Sequence, residues 1–427
     1  MSVFRFVAGG GANHIGGSHY VLFAGDVPIG FDFGSYLQGE GEVLLPKIVA
    51  PIKHLILTHG HFDHVGMVPV ARRLFPGLKI YASVETAELA RILWGQTLRK
   101  CDFDGTLPPF TLDEADEARK SIIELPLDGE ALYIDGVSIT PVSAGHILGA
   151  KSFVIEVDGE IAFITGDISY RDRSLIKGAP KFEAPDGIKL LVRESTYITQ
   201  EFEETREKVI ERFIRATTST LDAGGQVLVP ALSIDRAQDI FCIYKEAGID
   251  FKYPLYIDGS RSTFEVYRSF LSSGRLLGSA TWFESRRQKS DFLKSRRPGI
   301  VISSSGMVYK DTPSAWWAQK LLGVRGSSVF FVNYQDPNGP GFGLVASRDG
   351  QHVFVNGVSV RRQCDIEQFE FSSHMDGLEG EDLERRLNPE TTIYIHGDEY
   401  KIDAYLALKS GDGQRRIKAM VGQEVSA

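Results

Sequence analysis

Directly after the apolar run His54-Leu55-Ile56-Leu57, the chain reads Thr58-His59-Gly60-His61-Phe62-Asp63-His64-Val65-Gly66. Four ligand-type side chains fall within six positions just past a strand end, where a tight turn converges them on one point. Imidazole and carboxylate together suit zinc and similar transition metals better than magnesium. The spacing divides the four: His59 and His61 project one way, Asp63 and His64 the other, enough to begin two metal sites. A lone HxH would more often be a polar turn with incidental histidines. The full HxHxDH after a buried strand is a metal loop.

Two later fragments fit the same scheme. Ser143-Ala144-Gly145-His146 and Thr165-Gly166-Asp167 each follow a strand-like run, so both side chains are expected at strand ends. His146 is placed to complete the imidazole set and Asp167 to bridge two metals with its two oxygens. Alone, His146 would read as a loop histidine and Asp167 as a turn former. Their company makes them ligands.

The first two hundred residues alternate short apolar runs (VLFAG, HLILTH, LKIYAS, VSITPVSAG, SFVIEV, IAFITGD) with glycine-rich turns, and the last two runs are joined at Asp158-Gly159. Helical periods near 64–75 and 83–101 make this a mixed α/β layer structure. Further on, a helix from about 203 to Gly224-Gly225, a helix over 235–247 and the strands LYIDG, GIVISSS and SSVFFVNY imply a separate small sheet, parallel or mixed. The strand TTIYIHGD and a closing helix over 400–409 follow. The pairs Trp316-Trp317 and Phe330-Phe331 are expected in a core rather than as base-stacking platforms.

Composition excludes several classes. With 43% hydrophobic and 24% charged residues in 427, the chain is neither disordered nor collagen-like and is long enough for more than one lobe. No apolar run approaches the ~18 residues of a membrane span. The N-terminus lacks the layout of a signal peptide, which implies a cytoplasmic protein. Cys101, Cys242 and Cys364 form no CxxC and suggest neither a disulfide framework nor a thiolate metal site. The net charge is −9, yet residues 199–371 hold 22 basic against 20 acidic groups. That middle region is the part suited to a polyanion.

These motifs together resemble the metallo-β-lactamase-fold hydrolases, in which an early Asp, HxHxDH, a later His and a later Asp recur in this order. Asp32, in Ile29-Gly30-Phe31-Asp32-Phe33-Gly34, matches the early Asp, whose family role is to orient the metal loop. Leu191-Val192-Arg193-Glu194-Ser195-Thr196-Tyr197, Phe371-Ser372-Ser373-His374-Met375-Asp376 and Ile395-His396-Gly397-Asp398 resemble motifs A, B and C of the β-CASP nucleases, of the ribonuclease J and mRNA 3′-end-processing kind. The resemblance covers essentially the whole chain. It implies an αββα sandwich from 1–198 and 372–427 carrying an inserted α/β β-CASP domain at 199–371, in a minimal two-lobe form without further modules.

The same resemblance implies two Zn²⁺, with manganese as the alternative. His59, His61 and His146 would hold one ion, Asp63, His64 and His396 the other, and Asp167 would lie between them. His374 would be the general acid, oriented and kept basic by Glu194; Asp63 and Asp32 complete the catalytic set. A hydroxide activated by the two metals would cut an RNA phosphodiester, leaving 5′-phosphate and 3′-hydroxyl. His396 at motif C favours RNA, most simply single-stranded, over DNA. Arg236 and the turn Ser303-Ser304-Ser305-Gly306 match family positions and are candidates for gripping phosphate.

Some features depart from the pattern or carry less. Asn333-Tyr334-Gln335-Asp336-Pro337 lacks the arginine expected in that loop, Asp398 stands where Glu is usual, and His14 and His19 have no assigned role. Arg286, Arg287, Lys289, Lys294, Arg296 and Arg297 form either an RNA-attracting patch or a solvated helix face. The rival readings are a DNA-directed relative, a thioester or lactone hydrolase, which the insertion disfavours, and a non-catalytic RNA-processing scaffold.

Overall fold

Along Val137–Ser143 side chains alternate between buried and half-buried over most of the strand, as expected where one face lies on a core. In the computed structural model, which describes residues 2–38, 42–184 and 186–427, this strand belongs to the first of two compact units. The first unit comprises Met1–Asp172, Ile176–Glu201 and Ser373–Ala427; the second comprises Arg173–Leu175 and Phe202–Ser372.

The first unit holds two seven-stranded sheets. One runs in the order Glu424–Ser426, Phe4–Gly10, His19–Ala24, Val27–Phe31, His54–Ile56, Lys79–Ala82, Ile122–Glu124. The other runs Arg415–Lys418, Pro389–Ile395, Ile188–Glu194, Glu160–Ile164, Lys151–Val157, Val137–Ser143, Leu132–Ile134. Phe6, Leu22, Ile29 and Phe31 from the first sheet and Ile139, Phe153, Ile155 and Val192 from the second form one buried cluster. The rings of Phe31 and Phe153 meet across it at 5.7 Å. Helices such as Val84–Asp104 and Gly377–Leu387 complete an αββα sandwich. Ser83 caps the former and a reciprocal Asp376–Glu379 capping box starts the latter.

Each sheet changes from antiparallel to parallel pairing along its order, and this positions the loops. Val27–Phe31, His54–Ile56 and Lys79–Ala82 run parallel. So do Glu160–Ile164, Ile188–Glu194 and Pro389–Ile395. Val137–Ser143 shares their direction because two antiparallel pairings separate it from Glu160–Ile164. Within each sheet, carboxyl ends therefore emerge at one edge, where loops are free to carry function.

The second unit is built on a six-stranded sheet in the order Thr281–Trp282, Leu255–Asp258, Gly299–Ser303, Gln226–Pro230, Ser328–Phe331, Asp365–Gln368. Every pairing is parallel, which resolves the choice left open by the sequence. Gln226–Pro230 and Gly299–Ser303 are buried at every position, as central strands of a parallel sheet must be.

Several elements differ from the sequence expectation. The helical stretch near 64–75 is two helices, Phe62–Val65 and Val68–Leu74. Its first turn is the metal loop itself, so the loop fixes its geometry. Glu399–Leu408 does not close the chain, because the strands Arg415–Lys418 and Glu424–Ser426 follow and complete the sheet edges. Trp317, Phe330 and Phe331 are buried, whereas Trp316 is only half-buried. Among the described residues, no helix is long and apolar enough to cross a membrane.

Candidate metal centre

Five carboxyl ends of strands in the first unit deliver the candidate residues. Asp32 follows Val27–Phe31, the His59–His64 run follows His54–Ile56, His146 follows Val137–Ser143, Asp167 follows Glu160–Ile164, and His396 follows Pro389–Ile395. Glu194 ends its own strand. The backbone of Gly34 lies against the carbonyl of Asp63, where any side chain would collide with it. That glycine lets the metal loop rest on the neighbouring strand end.

The donors form two sets. His59, His61, His146 and Asp167 bring one ligand atom each within 4.8 Å of one another, and Asp63, His64 and His396 do the same. In the first set His61 Nδ1 lies 3.1 Å from both His59 Nε2 and His146 Nε2. Asp167 Oδ2 is 3.6 Å from each of the same two nitrogens. Four donors around a tetrahedral ion with arms near 2.0–2.1 Å stand about 3.3 Å apart. The spacing suits that geometry.

In the second set Asp63 Oδ2 lies 3.2 Å from His396 Nε2 and 3.7 Å from His64 Nε2. Asp167 Oδ2 is also 3.5 Å from His64 Nε2, so this carboxylate is shared by both sets.

Further groups hold the rings in place. His64 Nδ1 donates to Asp32 Oδ2 at 2.7 Å, leaving Nε2 for the donor set. Thr58 donates its backbone N–H and its hydroxyl to the two oxygens of Asp32, both at 2.7 Å. His19 Nδ1 donates to the Asp32 carbonyl at 2.8 Å. Burial, only partly opposed by backbone hydrogen bonds, pushes that imidazole down to about 4 and keeps it neutral. His146 Nδ1 donates to the Ser373 carbonyl at 2.8 Å, which turns its Nε2 inward. Sequence reasoning gave His19 no role and did not single out Thr58, although Thr58 begins the metal-loop motif.

The charge balance calls for a cation. Burial, then neighbouring imidazoles, holds His59 and His146 well below the usual histidine range, so each keeps a lone pair. His64 is the opposite case: burial disfavours its charge, but Asp167, Asp63 and Asp32 outweigh that and raise it well above its ordinary value. Buried Asp167 Oδ1 accepts no hydrogen bond among the described residues. Neutral imidazoles beside buried carboxylates fit bound divalent metal, which supplies the missing positive charge.

Beside the donors, His374 Nδ1 donates to Glu194 Oε2 at 2.7 Å. Glu194 is itself held by the Thr196 hydroxyl at 2.6 Å and the Ile168 N–H at 2.8 Å. Burial opposes charge on His374, yet the carboxylate of Glu194 outweighs it and lifts the imidazole to about 9. The ring stands 4.5 Å, centroid to centroid, from that of His146.

Comparison with known proteins identifies the family. Residues 31–201 match the metallo-β-lactamase superfamily, and residues 359–416 match the Zn-dependent metallo-hydrolase RNA specificity domain. The chain is 27% identical to RNase aCSPSF2 of Saccharolobus solfataricus, over 100% of this chain and 86% of that one. It is 28% identical to an RNase J-like protein of Methanocaldococcus jannaschii, over 84% and 85%. The chain belongs to the β-CASP family of the metallo-β-lactamase superfamily. A crystal structure of a protein of unknown function from Enterococcus faecalis V583 shares the fold, with a TM-score of 0.61 and 15% identity over 99% of this chain and 100% of that one.

The residues matched to the family's phosphate-gripping positions all lie in the second unit, and the structure treats them unequally. Arg236 is 6% exposed and its Nη1 donates to the carbonyls of Val332, at 2.9 Å, and Phe371. Through Nη1 this buried side chain braces backbone carbonyls, a different task from the phosphate contact expected of it. Ser303 is likewise buried and donates to the Asp258 carbonyl at 3.2 Å. Ser304 and Ser305 are half-buried. The backbone of Gly306 packs on the Asn333 side chain too closely for a Cβ.

Proposed function

We propose that this β-CASP protein is a metal-dependent ribonuclease that hydrolyses single-stranded RNA and leaves a 5′-phosphate and a 3′-hydroxyl. Support comes from the two adjoining donor sets around Asp167, with the His374–Glu194 pair beside them. His59, His61 and His146 would hold one zinc ion and Asp63, His64 and His396 a second, with Asp167 shared. Divalent ions there supply Lewis acidity, which acidifies water and offsets charge on the phosphodiester.

The protein's own residues do the rest. Asp32, Thr58 and His19 fix the loop so that the donors are preorganised. Glu194 keeps His374 protonated at neutral pH, and His374 gives that proton to the departing 3′-oxygen, a poor leaving group without it. Preference for RNA draws support from the RNA specificity domain match and from relatives named as ribonucleases.

The test is cleavage of matched single-stranded RNA and DNA oligonucleotides by protein loaded with zinc or manganese, with product ends identified by mass. RNA fragments bearing 5′-phosphate are expected. Turnover of DNA alone, or 2′,3′-cyclic ends, overturns the reading.

A further inference from the structure

Six cations crowd Arg286–Arg297, and the chemistry above uses none of them. Lys289 is held by Asp258 at 2.6 Å and Arg287 reaches Asp291. Lys294 and Arg296 instead line a cavity of about 640 Å³ within the second unit, joined there by Lys320 and Arg325. Leu293 and the half-buried Trp316 form part of its apolar wall. The cavity lies at the amino ends of Gln226–Pro230, Gly299–Ser303 and Ser328–Phe331, the edge of the sheet opposite the Ser303–Gly306 turn.

Helix dipoles alone do not explain this many cations. Arg206–Asp222, Arg286–Ser295 and Pro313–Leu321 all end at this edge. Each carboxyl end carries roughly −0.5 charge, so roughly −1.5 in all is answered by two cations. Among the described residues, four cations and no acidic side chain line the cavity. Nearby Asp222 is engaged by Lys252 at 2.6 Å and by Tyr253. A surplus of positive charge therefore faces a space of the size that encloses a small ligand.

Surplus cations around a half-exposed indole select an anion that also carries a flat ring. We propose that this cavity is a nucleotide site, separate from the metal centre, with phosphate on Lys320 and Arg325 and the base against Trp316 and Leu293. The nucleotide is either free or one unit of an RNA strand, since both present the same groups. The inference rests on the second unit's own residues and does not require the proposed ribonuclease activity.

The test measures affinity of the full chain for adenosine 5′-monophosphate and inorganic phosphate by calorimetry, and for a labelled RNA oligonucleotide by anisotropy. A His374→Ala background keeps the RNA intact. Lys320 and Arg325 are exposed, so Lys320→Glu/Arg325→Glu is expected to fold, with circular dichroism as the check. At least tenfold weaker binding of the mononucleotide, of the RNA, or of both is expected; which one responds tells a free nucleotide from a strand. If RNA responds, its salt slope should fall by about 1.4, roughly 0.7 per lost contact. Trp316→Leu is expected to weaken the mononucleotide and leave inorganic phosphate unchanged. Unchanged affinity of the charge-reversed protein for all three probes overturns the proposal, as does phosphate binding as tightly as the mononucleotide with Trp316→Leu silent.

Discussion

His374 and Glu194 lie 180 positions apart in the chain and share a 2.7 Å hydrogen bond. The pair joins a half-buried imidazole to a carboxylate already gripped by Thr196 and Ile168, so the acid is oriented before any substrate arrives. His374→Ala is expected to retain its metals and lose about 10²–10⁴-fold in turnover. Metal analysis and single-turnover RNA cleavage check both halves. Unchanged rates would remove His374 from the chemistry.

The same pair sets a pH dependence. Burial works against the charged ring and Glu194 more than compensates, so His374 titrates near 9. A proton donor of this kind works below that pH and fails as pH rises through it, which gives cleavage a basic limb. Glu194→Gln removes the compensating charge and should move the limb to lower pH. On stability the sign is the same: the raised value contributes fully below about 6.5 and its contribution is lost as pH climbs through 9. A basic limb that stays in place in Glu194→Gln would show that another group is being titrated.

Metal stoichiometry tests the shared carboxylate. Protein loaded with excess zinc and then desalted should carry two ions per chain by mass spectrometry. His396→Ala and His59→Ala should each lower the count, whereas Asp167→Ala should disturb both sites. EDTA should abolish RNA cleavage and lower the melting temperature, because the imidazoles and carboxylates of the two sets lose their common partner.

Asp32 acts one layer behind the donors. It accepts from His64 Nδ1 and from Thr58 twice, so Asp32→Asn presents an amide where those donors need an anion. Metal affinity should fall about 10–100-fold, read as chelator competition, with the fold intact by circular dichroism. Equal affinity in the variant would reduce Asp32 to a packing role.

Arg236 offers the contrary case. Its guanidinium satisfies carbonyls at Val332 and Phe371 inside the second unit. Arg236→Ala should strip those partners and cost about 1–3 kcal/mol of stability for each acceptor left unpaired. Chemical denaturation reads that loss. A variant that melts like the parent but binds RNA more weakly would return Arg236 to the substrate.

The metal loop was legible because its donors are close together: six positions from His59 to His64 carry four ligand-type side chains after an apolar strand. His146 and Asp167 were legible only through the strand-like runs before them, and Glu194, His374 and His396 only through resemblance. The parts of Thr58 and His19 were not legible, since they consist of hydrogen bonds to Asp32 formed only in the folded chain, two from Thr58 and one from His19. The cavity around Lys320 and Arg325 was hidden for a related reason. Its basic residues come from separate segments, and four of the six cations in the neighbouring Arg286–Arg297 run do not line it.

What the amino-acid order determined by itself is therefore local: strands, their end points, and which side chains are offered at those ends. Hydrophobic alternation and loop chemistry act over a few residues, and a linear reading captures them. Tertiary structure alone decided which ends meet, and that Arg236 turns inward to carbonyls while Lys294, Arg296, Lys320 and Arg325 face a common space. Those outcomes depend on the direction of strands paired across hundreds of residues and on burial, which decides whether a charged group finds a partner or stays in water.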